Sequence, residues 1–259
     1  MKNKSLKYEI DKLLEKYETI SLGELAEANL MDRKEVKYVL SEKQLPELIS
    51  AVQEHYKVLS INDKKLFNYN SQYFDTDELN FFHDHRRGKL NRYKVRKRHY
   101  IDSDLSFFEV KFKNNHGRTR KSRIVSDPQK TDGIQKTEDN FLQEVSPFAG
   151  DALFPTVQVN YKRLTLVSKT TVERITIDIN LSVQKGEESL DFDGLVIVEV
   201  KQDKLRSSPV KNTLKNMGIR SGTISKYCLG IISLENDIRF NRLKPAFDRL
   251  YKPFLTASR

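Results

Sequence analysis

Two segments between Leu90 and Lys113 carry a charged side chain at every other position. Because side chains in a strand alternate between its two faces, each segment would project one dense row of charge from a sheet, with apolar side chains opposite. The same spacing recurs elsewhere, and a sheet with so many cations on one face predicts a polyanionic ligand. The residues concerned are Arg92, Lys94, Arg96, Arg98, Glu109, Lys111 and Lys113, then Arg33/Glu35/Lys37, Lys121/Arg123, Tyr161/Arg163, Arg174/Asp178 and Glu199/Lys201.

The predicted strands follow one another after short gaps, which favours a mainly antiparallel sheet in an α+β fold. Closing that sheet into a β-barrel would turn its charged face into a lumen, where cations converge on phosphate oxygens and a carboxylate can hold a divalent metal. The apolar face would then point outward and be covered by helices. The carboxylates on the charged rows are Glu35, Glu109, Asp178 and Glu199.

The first thirty residues are predicted to form a helical appendage. Apolar residues at helical spacing indicate a helix over about residues 4–17, and Ser21 with Glu24 is typical of a capping box that starts a second helix. We therefore expect residues 1–30 to pack outside the main domain, which comprises residues 31–259.

Within the main domain, Ser41 followed by Gln44 predicts a helix that runs to about Tyr56, with its apolar side chains facing inward. A second helical region is predicted from about Val210 onward. Residues 83–85, His-Asp-His, follow two phenylalanines and precede Arg-Arg-Gly, which indicates a hairpin more than a metal pair. Strands are predicted near residues 31–40, 69–75, 90–100, 105–113, 118–125, 156–168, 170–183 and 195–201.

Length and composition fit one large barrel-like domain with an anionic partner. The chain has 259 residues, of which 46 are basic and 36 acidic, giving a formal charge of +10. The lone cysteine, Cys228, excludes an intramolecular disulfide framework and lies in an apolar run that predicts a buried thiol. The chain shows neither a signal-peptide pattern nor an apolar stretch of membrane-helix length, so we expect a soluble, cytoplasmic protein.

Nine short segments, taken in order, give the chain a family resemblance. The chain resembles the VTC-type polyphosphate polymerase domain of the triphosphate tunnel metalloenzyme (CYTH-like) superfamily, from about Arg33 to Leu229. The resemblance implies a closed, eight-stranded antiparallel barrel with helices outside it and a C-terminal helix at the tunnel mouth. The segments are RKEVKY at Arg33, SQYFDT at Ser71, KVRKRHY at Lys94, FEVKFK at Phe108, RKSRI at Arg120, VNYKR at Val159, ERITIDINLSV at Glu173, IVEVK at Ile197 and ISKYCLG at Ile224.

The resemblance also implies the site residues. Glu199 would ligate Mn²⁺ or Mg²⁺, with Glu35 and Glu109 as secondary candidates. Residues expected to act on the transferred phosphoryl group are Arg96, Arg98, Lys111, Arg163 and Arg174. Residues expected to bind phosphate or nucleotide are Lys37, Lys121, Tyr161 and Lys226.

The chain departs from the family pattern at two positions. Arg33 stands where the wider superfamily has an acid, and Thr223 stands where related polymerases have a second lysine, which Arg220 could replace. Simpler structural roles also stay open for several residues. Tyr161 and Tyr227 could be core aromatics, Asp178 could pair with Arg174 or with a lysine of a neighbouring strand, and Asp75 could bond turn amides.

Three functions stay open at this point. The first is a polymerase that transfers the γ-phosphate of ATP to inorganic polyphosphate. The second is a triphosphatase with water as acceptor, and the third is a binding module for polyphosphate or inositol phosphates. A specific nucleic-acid partner is not expected, because the cations alternate with apolar residues and no recognition motif is present. A membrane protein is conceivable as a partner in trans, and the sequence leaves the oligomeric state open.

Overall fold

The computed structural model describes residues 2–27, 34–116, 118–130, 133–222, 224–235 and 237–257, so Arg33 and Thr223 lie outside the described part. The fold is mixed α+β, with extensive antiparallel strand pairing and several helices. The helices are α1 (Lys2–Glu15), α2 (Leu22–Glu27), α3 (Leu45–Val52), α4 (Asn80–Arg87), α5 (Lys136–Val145), α6 (Pro209–Asn216), α7 (Lys226–Leu234) and α8 (Lys244–Leu250). The strands are β1 (Thr19–Ile20), β2 (Lys34–Ser41), β3 (Tyr56–Leu59), β4 (Leu66–Asp75), β5 (Arg92–Tyr100), β6 (Leu105–Lys113), β7 (Thr119–Ser126), β8 (Phe154–Ser168), β9 (Glu173–Lys185), β10 (Glu188–Phe192), β11 (Leu195–Gln202) and β12 (Leu255–Ala257).

The chain divides into two compact units. The first unit contains Met1–Phe67, Lys162–Leu181 and Phe192–Thr223, and the second contains Asn68–Tyr161, Ser182–Asp191 and Ile224–Arg259. Each unit therefore combines segments that are distant in sequence, and β8 and β9 contribute residues to both.

In the first unit, one face of the strands is apolar and packs on helices. β11 pairs with β2 on one side and with β9 on the other, both antiparallel, and Val198 lies opposite Tyr38 and Ile177. These residues and their neighbours form a buried core with side chains from α1, α3 and α6. The alternate positions of the same strands are charged, as the sequence predicted, so the apolar core fixes the face on which the charges lie.

The helix predicted from Ser41 is shorter than expected. Ser41 and Gln44 form the predicted capping box, and Leu45, Leu48, Ile49 and Val52 of α3 are buried. The α-helix ends at Val52, however, and residues 56–59 form β3, which pairs with β8 and, in parallel, with β1. Tyr56 fits the helical spacing as well as it fits a strand, so the periodicity could not place this boundary.

The N-terminal helix α1 is part of the first unit. Ile10, Leu14 and Tyr17 belong to the buried core, and the Tyr17 hydroxyl donates a hydrogen bond of 2.6 Å to the Ile49 carbonyl. The division into residues 1–30 and 31–259 stays a prediction. Within the described residues, no helix combines the length and the apolar character needed to cross a bilayer.

In the second unit the strands follow the order β12-β10-β9-β8-β4-β5-β6-β7. The pairs β4/β5, β5/β6 and β6/β7 are antiparallel. One face packs Phe74, Val95 and Phe108 against α4 and α5, through Phe81 and Leu142. The charged residues of β5 and β6 lie at the alternate positions, which confirms the predicted alternation.

The hairpin predicted at residues 83–85 is wrong, because these residues lie in α4. The Asp75 carboxylate accepts hydrogen bonds from the backbone N–H groups of Phe81 and Phe82, at 2.8 and 2.9 Å, and thereby satisfies donors at the start of this helix. It also accepts one from Thr76 at 2.7 Å, so the prediction that Asp75 bonds turn amides is confirmed. Gly88 ends the helix with a φ of 73°.

Candidate functional site

The first unit holds a group of charged residues at cross-strand positions, here called the first-unit cluster. In β2 and β11, Lys37 lies opposite Glu199 and Glu35 opposite Lys201. β9 continues both rows with Thr176 and Arg174, and β8 adds one arginine that reaches β9. The cluster consists of Glu35, Lys37, Arg163, Arg174, Thr176, Asp178, Glu199 and Lys201.

Glu199 is the centre of this cluster. Its two carboxylate oxygens lie 3.0 Å from Lys37 Nζ and 2.5 Å from Lys201 Nζ, and the side chain is largely buried. Lys37 Nζ also lies 2.9 Å from a carboxylate oxygen of Glu35. One ammonium group therefore joins two carboxylates on neighbouring strands.

Burial and neighbouring charges act in opposite directions on these groups. Burial would raise the pKa of Glu199, but Lys201, Lys37 and Arg163 outweigh it and hold that pKa well below its usual range. Burial lowers the pKa of Lys201 to about 8, even though Glu199 acts to raise it. The pKa of Lys37 is raised, because Glu199 and Glu35 outweigh its burial. Glu199 is therefore a carboxylate at neutral pH.

Asp178 pairs with an arginine that was not among its predicted partners. Arg163 Nε and Nη2 donate hydrogen bonds of 2.6 and 2.8 Å to its two carboxylate oxygens, in a bidentate pair. Arg163 lies on β8, the strand next to β9 in the sheet, so this pair joins two neighbouring strands.

The second unit holds a more cationic group, here called the second-unit cluster. Lys94, Lys111 and Lys121 lie directly opposite one another on β5, β6 and β7. In the next row Glu109 lies between Arg96 and Arg123. The cluster consists of Lys94, Arg96, Arg98, Glu109, Lys111, Lys121, Arg123 and Lys226, with the aromatic residues Tyr69, Tyr73, Tyr161 and Tyr227.

Arginine side chains of this cluster are held by one acid and by tyrosine rings. Arg96 Nε donates a hydrogen bond of 2.6 Å to Glu109, and its Nη1 donates one of 3.2 Å to the Tyr73 hydroxyl. Burial would raise the pKa of Glu109, but Arg96 and Arg98 outweigh it and lower that pKa to about 2. The guanidinium of Arg98 lies over the ring of Tyr69, at 5.8 Å from its centroid.

The side chain of Lys226, the first residue of α7, lies over an aromatic pair. Its Nζ is 4.7 Å from the ring centroid of Tyr161, which stacks on Tyr69 at 5.2 Å. Gly230 allows α7 to approach β8, because a Cβ at this position would lie 2.6 Å from Val157. The predicted C-terminal helix thus packs on a strand that carries site residues of the second unit.

A buried hydrogen bond fixes the start of α7. The Tyr227 hydroxyl donates to the Asp75 carboxylate, and the Tyr227 ring stacks on Tyr73 at 5.2 Å. Burial raises the pKa of Asp75, and burial and Asp75 together raise that of Tyr227. The hydroxyl therefore stays protonated and continues to donate near neutral pH. Tyr227 is a core aromatic residue in the sense that its side chain is buried, but it also sits next to Lys226.

The predicted site residues thus divide between the two units. Those in the first are Glu35, Lys37, Arg163, Arg174 and Glu199, and those in the second are Arg96, Arg98, Glu109, Lys111, Lys121, Tyr161 and Lys226. Sequence reasoning did not assign a site role to Lys201, Thr176, Tyr69 or Tyr73. Lys201 and Thr176 occupy alternate positions in strands that carry predicted site residues, so the alternation itself was the signal that could have found them. Tyr69 and Tyr73 lie on β4, which carries no predicted site residue, so that signal did not extend to them.

A divalent metal fits the oxygen donors of the first-unit cluster. Glu35 and Glu199 both approach Lys37, and carboxylate oxygens are the ligands that Mg²⁺ and similar hard cations prefer. The described residues contain no group of three or more His, Cys, Asp or Glu side chains arranged to hold a metal. Two carboxylates suit an ion that keeps water ligands and also binds substrate phosphates. The Thr176 hydroxyl, buried opposite Glu199, has no hydrogen-bond partner within the described residues.

Comparisons with known proteins give one family and several distant structures. A model of the VTC domain family matches residues 32–235. No curated protein matches the chain in sequence. Among solved structures, the chain is similar to a candidate adenylate cyclase from Bacillus halodurans, with 13% identity and a TM-score of 0.49 over 80% of this chain and 100% of that one.

Two further solved structures are similar to the chain, with comparable sequence identities and TM-scores. One is a Hippeastrum protein described as a candidate adenylyl cyclase with a dominant triphosphatase activity, with 14% identity and a TM-score of 0.47 over 78% of this chain and 96% of that one. The other is a Pyrococcus horikoshii protein, with 12% identity and a TM-score of 0.46 over 77% of this chain and 96% of that one. Similarities this distant say nothing about individual residues.

Proposed function

The chain belongs to the VTC domain family, and from that premise we propose that it is a metal-dependent polyphosphate polymerase. It would transfer the γ-phosphate of ATP to a growing inorganic polyphosphate chain. The observation that carries the proposal is the register of Lys94, Lys111 and Lys121, which face one another across three strands. Like charges directly opposite in a sheet are destabilising. A polyanion bound along this row would offset the repulsion between the lysines.

For phosphoryl transfer, the protein must position the reacting groups and neutralise their negative charge. Phosphoryl transfer needs an in-line arrangement and stabilisation of the charge on the transferred group, with little covalent help. We propose that Arg96, Arg98, Lys111, Arg163 and Arg174 act on the transferred group, and that Lys37, Lys121, Tyr161 and Lys226 bind the remaining phosphates or the nucleotide. Arginine forks suit bidentate phosphate contacts, whereas lysines act as point charges.

Glu199 is the proposed metal ligand, with Glu35 beside it. Bound Mn²⁺ or Mg²⁺ would neutralise phosphate charge and act as a Lewis acid. Ligation of Glu199 competes with its two lysine contacts, so we expect Lys37 and Lys201 to turn to phosphate oxygens when the carboxylate binds a cation. Glu109, paired with Arg96, is the weaker candidate and is proposed to orient that arginine.

The proposed function requires a closed tunnel, which is a more specific fold than the α+β sheet described above. We propose that the charged strand faces line a closed tunnel of eight antiparallel strands, with α7 near its mouth. A tunnel would keep an extended phosphate chain aligned with the reacting end and would limit access of water. The cytoplasmic location, the partner in trans and the role of Arg220 stay predictions.

Product analysis tests the function. The pure protein is incubated with ATP and Mn²⁺, and products are separated on a gel that resolves polyphosphate chains from free phosphate. We expect a ladder of long chains that is absent with EDTA and strongly reduced in Lys111→Gln. Arg249→Gln removes one exposed cation from α8 of the same unit and serves as the matched control. Release of free phosphate without chains would replace the polymerase with a triphosphatase, and binding without turnover would leave a polyphosphate-binding module.

A further inference from the structure

One polar side chain of the first-unit cluster is buried without a hydrogen bond. Thr176 of β9 is 3% exposed, and its hydroxyl has no hydrogen-bond partner among the residues that the structure describes. It lies directly opposite Glu199 of β11, which in turn lies opposite Lys37 of β2. We propose that the Thr176 hydroxyl is a further oxygen ligand of the divalent cation at Glu199, an inference that rests on the proposed function.

The Thr176 hydroxyl is unfavourable for the stability of the free protein. A buried hydroxyl loses its hydrogen bonds to water, and here no described residue replaces them. Valine has nearly the same shape and a similar preference for strands, so it would fill the position without that loss. The two neighbouring residues of β9, Ile175 and Ile177, are apolar residues of this kind in the buried core. Folding alone therefore does not explain a hydroxyl at position 176, and a ligand would.

The carboxylates nearest to this hydroxyl in the sheet are already occupied by cations. The two oxygens of Glu199 contact Lys37 and Lys201, at 3.0 and 2.5 Å. Asp178 lies two residues further along β9, on the same face, and both its oxygens accept hydrogen bonds from Arg163. The hydroxyl therefore lies among paired charges without taking part in their hydrogen bonds.

A cation at Glu199 would change this arrangement. Lys37 and Lys201 must then leave the carboxylate, and this movement would expose the hydroxyl, which is buried in the free protein. Residues directly opposite each other on antiparallel strands have Cβ atoms about 5 Å apart, so a cation held by Glu199 is within reach of Thr176.

The chemistry of a hydroxyl suits such a cation. Hard divalent cations bind neutral oxygens together with carboxylates, and a threonine or serine hydroxyl ligates Mg²⁺ in phosphate-binding loops. A hydroxyl adds an oxygen ligand without adding negative charge. The cation therefore keeps more of its positive charge for phosphate oxygens than it would with another carboxylate.

Titration with Mn²⁺ in the absence of phosphate and nucleotide tests this role without any turnover. Thr176→Val replaces the hydroxyl with a methyl group, and Thr176→Ser keeps the hydroxyl. Thr170→Val makes the same change at an exposed position between β8 and β9 and serves as the matched control. Electron paramagnetic resonance measures bound Mn²⁺, and urea denaturation in EDTA measures the stability of the metal-free proteins.

We expect the Mn²⁺ affinity of Thr176→Val to be about tenfold lower than that of wild type, and those of Thr176→Ser and Thr170→Val to stay close to it. Metal-free Thr176→Val should unfold at a urea concentration at least as high as wild type, because a buried group without a hydrogen bond has been removed. A residue that serves only the fold would not combine weaker metal binding with undiminished stability.

Three results would overturn the inference: no Mn²⁺ binding by wild type, equal Mn²⁺ affinity in wild type and Thr176→Val, or equal losses in Thr176→Val and Thr176→Ser. A lower urea midpoint of Thr176→Val would also overturn it, because the hydroxyl would then serve the fold. Failure of the proposed function is a separate result. A selective loss of Mn²⁺ affinity in Thr176→Val, in a protein that makes no polyphosphate, would support the ligand role and end the polymerase proposal.

Discussion

The two charged clusters differ in how their charges are balanced. The first-unit cluster combines three carboxylates with four cations, and every carboxylate lies within 3.0 Å of a cationic nitrogen. The second-unit cluster has one carboxylate for seven cations, and three of its lysines face one another in register. The first cluster therefore has a formal charge of about +1 and the second of about +6, so an anionic ligand is favoured much more strongly at the second.

This difference suggests a division of labour. Carboxylates that are already ionised and oriented are suited to bind a cation, and lysines forced together by strand register are suited to bind phosphates. The price of the second arrangement is repulsion in the free protein, which removal of one lysine should relieve. Stability and function should consequently respond in opposite directions when a lysine of the row Lys94, Lys111 and Lys121 is substituted, and together when Glu199 is substituted.

Glu199→Gln should give the largest effect. A neutral amide is a far poorer ligand for a hard cation, so we expect metal-dependent turnover to fall by at least about a hundredfold. Lys37 and Lys201 would also lose a buried counter-charge, which should lower the free energy of unfolding by about 3 kcal/mol. Turnover with varied Mn²⁺ and urea denaturation measure the two effects. Undiminished metal-dependent activity would transfer the metal role to Glu35 or Glu109.

Lys111→Gln should weaken the binding of inorganic triphosphate about tenfold, since one charge-assisted contact is lost. The same variant should be as stable as wild type or slightly more stable, because it removes the middle charge from the row with Lys94 and Lys121. Calorimetry and urea denaturation provide the two readings. A large loss of stability would mean that Lys111 serves the fold, and the contrast between the clusters would disappear.

Tyr227→Phe should have a smaller effect, transmitted through Lys226. The change removes the hydroxyl that donates to Asp75 and keeps the ring that stacks on Tyr73. We expect the free energy of unfolding to fall by about 1–2 kcal/mol and triphosphate binding to weaken a few-fold.

A double-variant cycle checks that route. In a Lys226→Ala background, Tyr227→Phe should no longer affect triphosphate binding, although its effect on stability should persist. If the binding effect survives without the lysine, Tyr227 does not act by positioning it.

The smallest expected effect is on the pH dependence of stability, and it tests the single ion pair between Glu109 and Arg96. The pKa of Glu109 is lowered from 4.5 to about 2 in the folded protein. Its contribution to stability is therefore fully present above about pH 4.5 and is lost as the pH falls toward about 2. Glu109→Gln should flatten the stability curve in this range, as followed by denaturation at several pH values. A curve as steep as that of wild type would show that the pair with Arg96 contributes little.

The sequence predicted the alternation of charged and apolar faces because that pattern depends only on strand geometry. Lys37, Glu199 and Arg174 in one unit, and Arg96 and Lys111 in the other, all lie on such faces. The ion pairs were harder to predict, since they depend on which strands are neighbours. The pairing of Asp178 with Arg163 was not predicted for this reason, because that arginine comes from the adjacent strand.

Two local features were also not predicted from the sequence: the helix α4 and the hydrogen bond between Tyr227 and Asp75. The helix α4 starts in a segment without a helical apolar pattern, and the side chain that satisfies its first amides is Asp75, which precedes it on the strand. The role of Tyr227 likewise depends on that carboxylate, 152 residues away in sequence. Contacts of this kind are set by tertiary structure and leave no periodic signal.

A pair of crossed titrations tests the division between the clusters most directly. Mn²⁺ is titrated into wild type, Glu199→Gln and Lys111→Gln without phosphate, and triphosphate is titrated into the same three proteins in EDTA. We predict that Glu199→Gln loses Mn²⁺ binding and keeps triphosphate binding, whereas Lys111→Gln keeps Mn²⁺ binding and loses about tenfold in triphosphate affinity. If either variant weakened both ligands equally, Glu199 and Lys111 would not have the separate roles in metal binding and phosphate binding that are assigned to them.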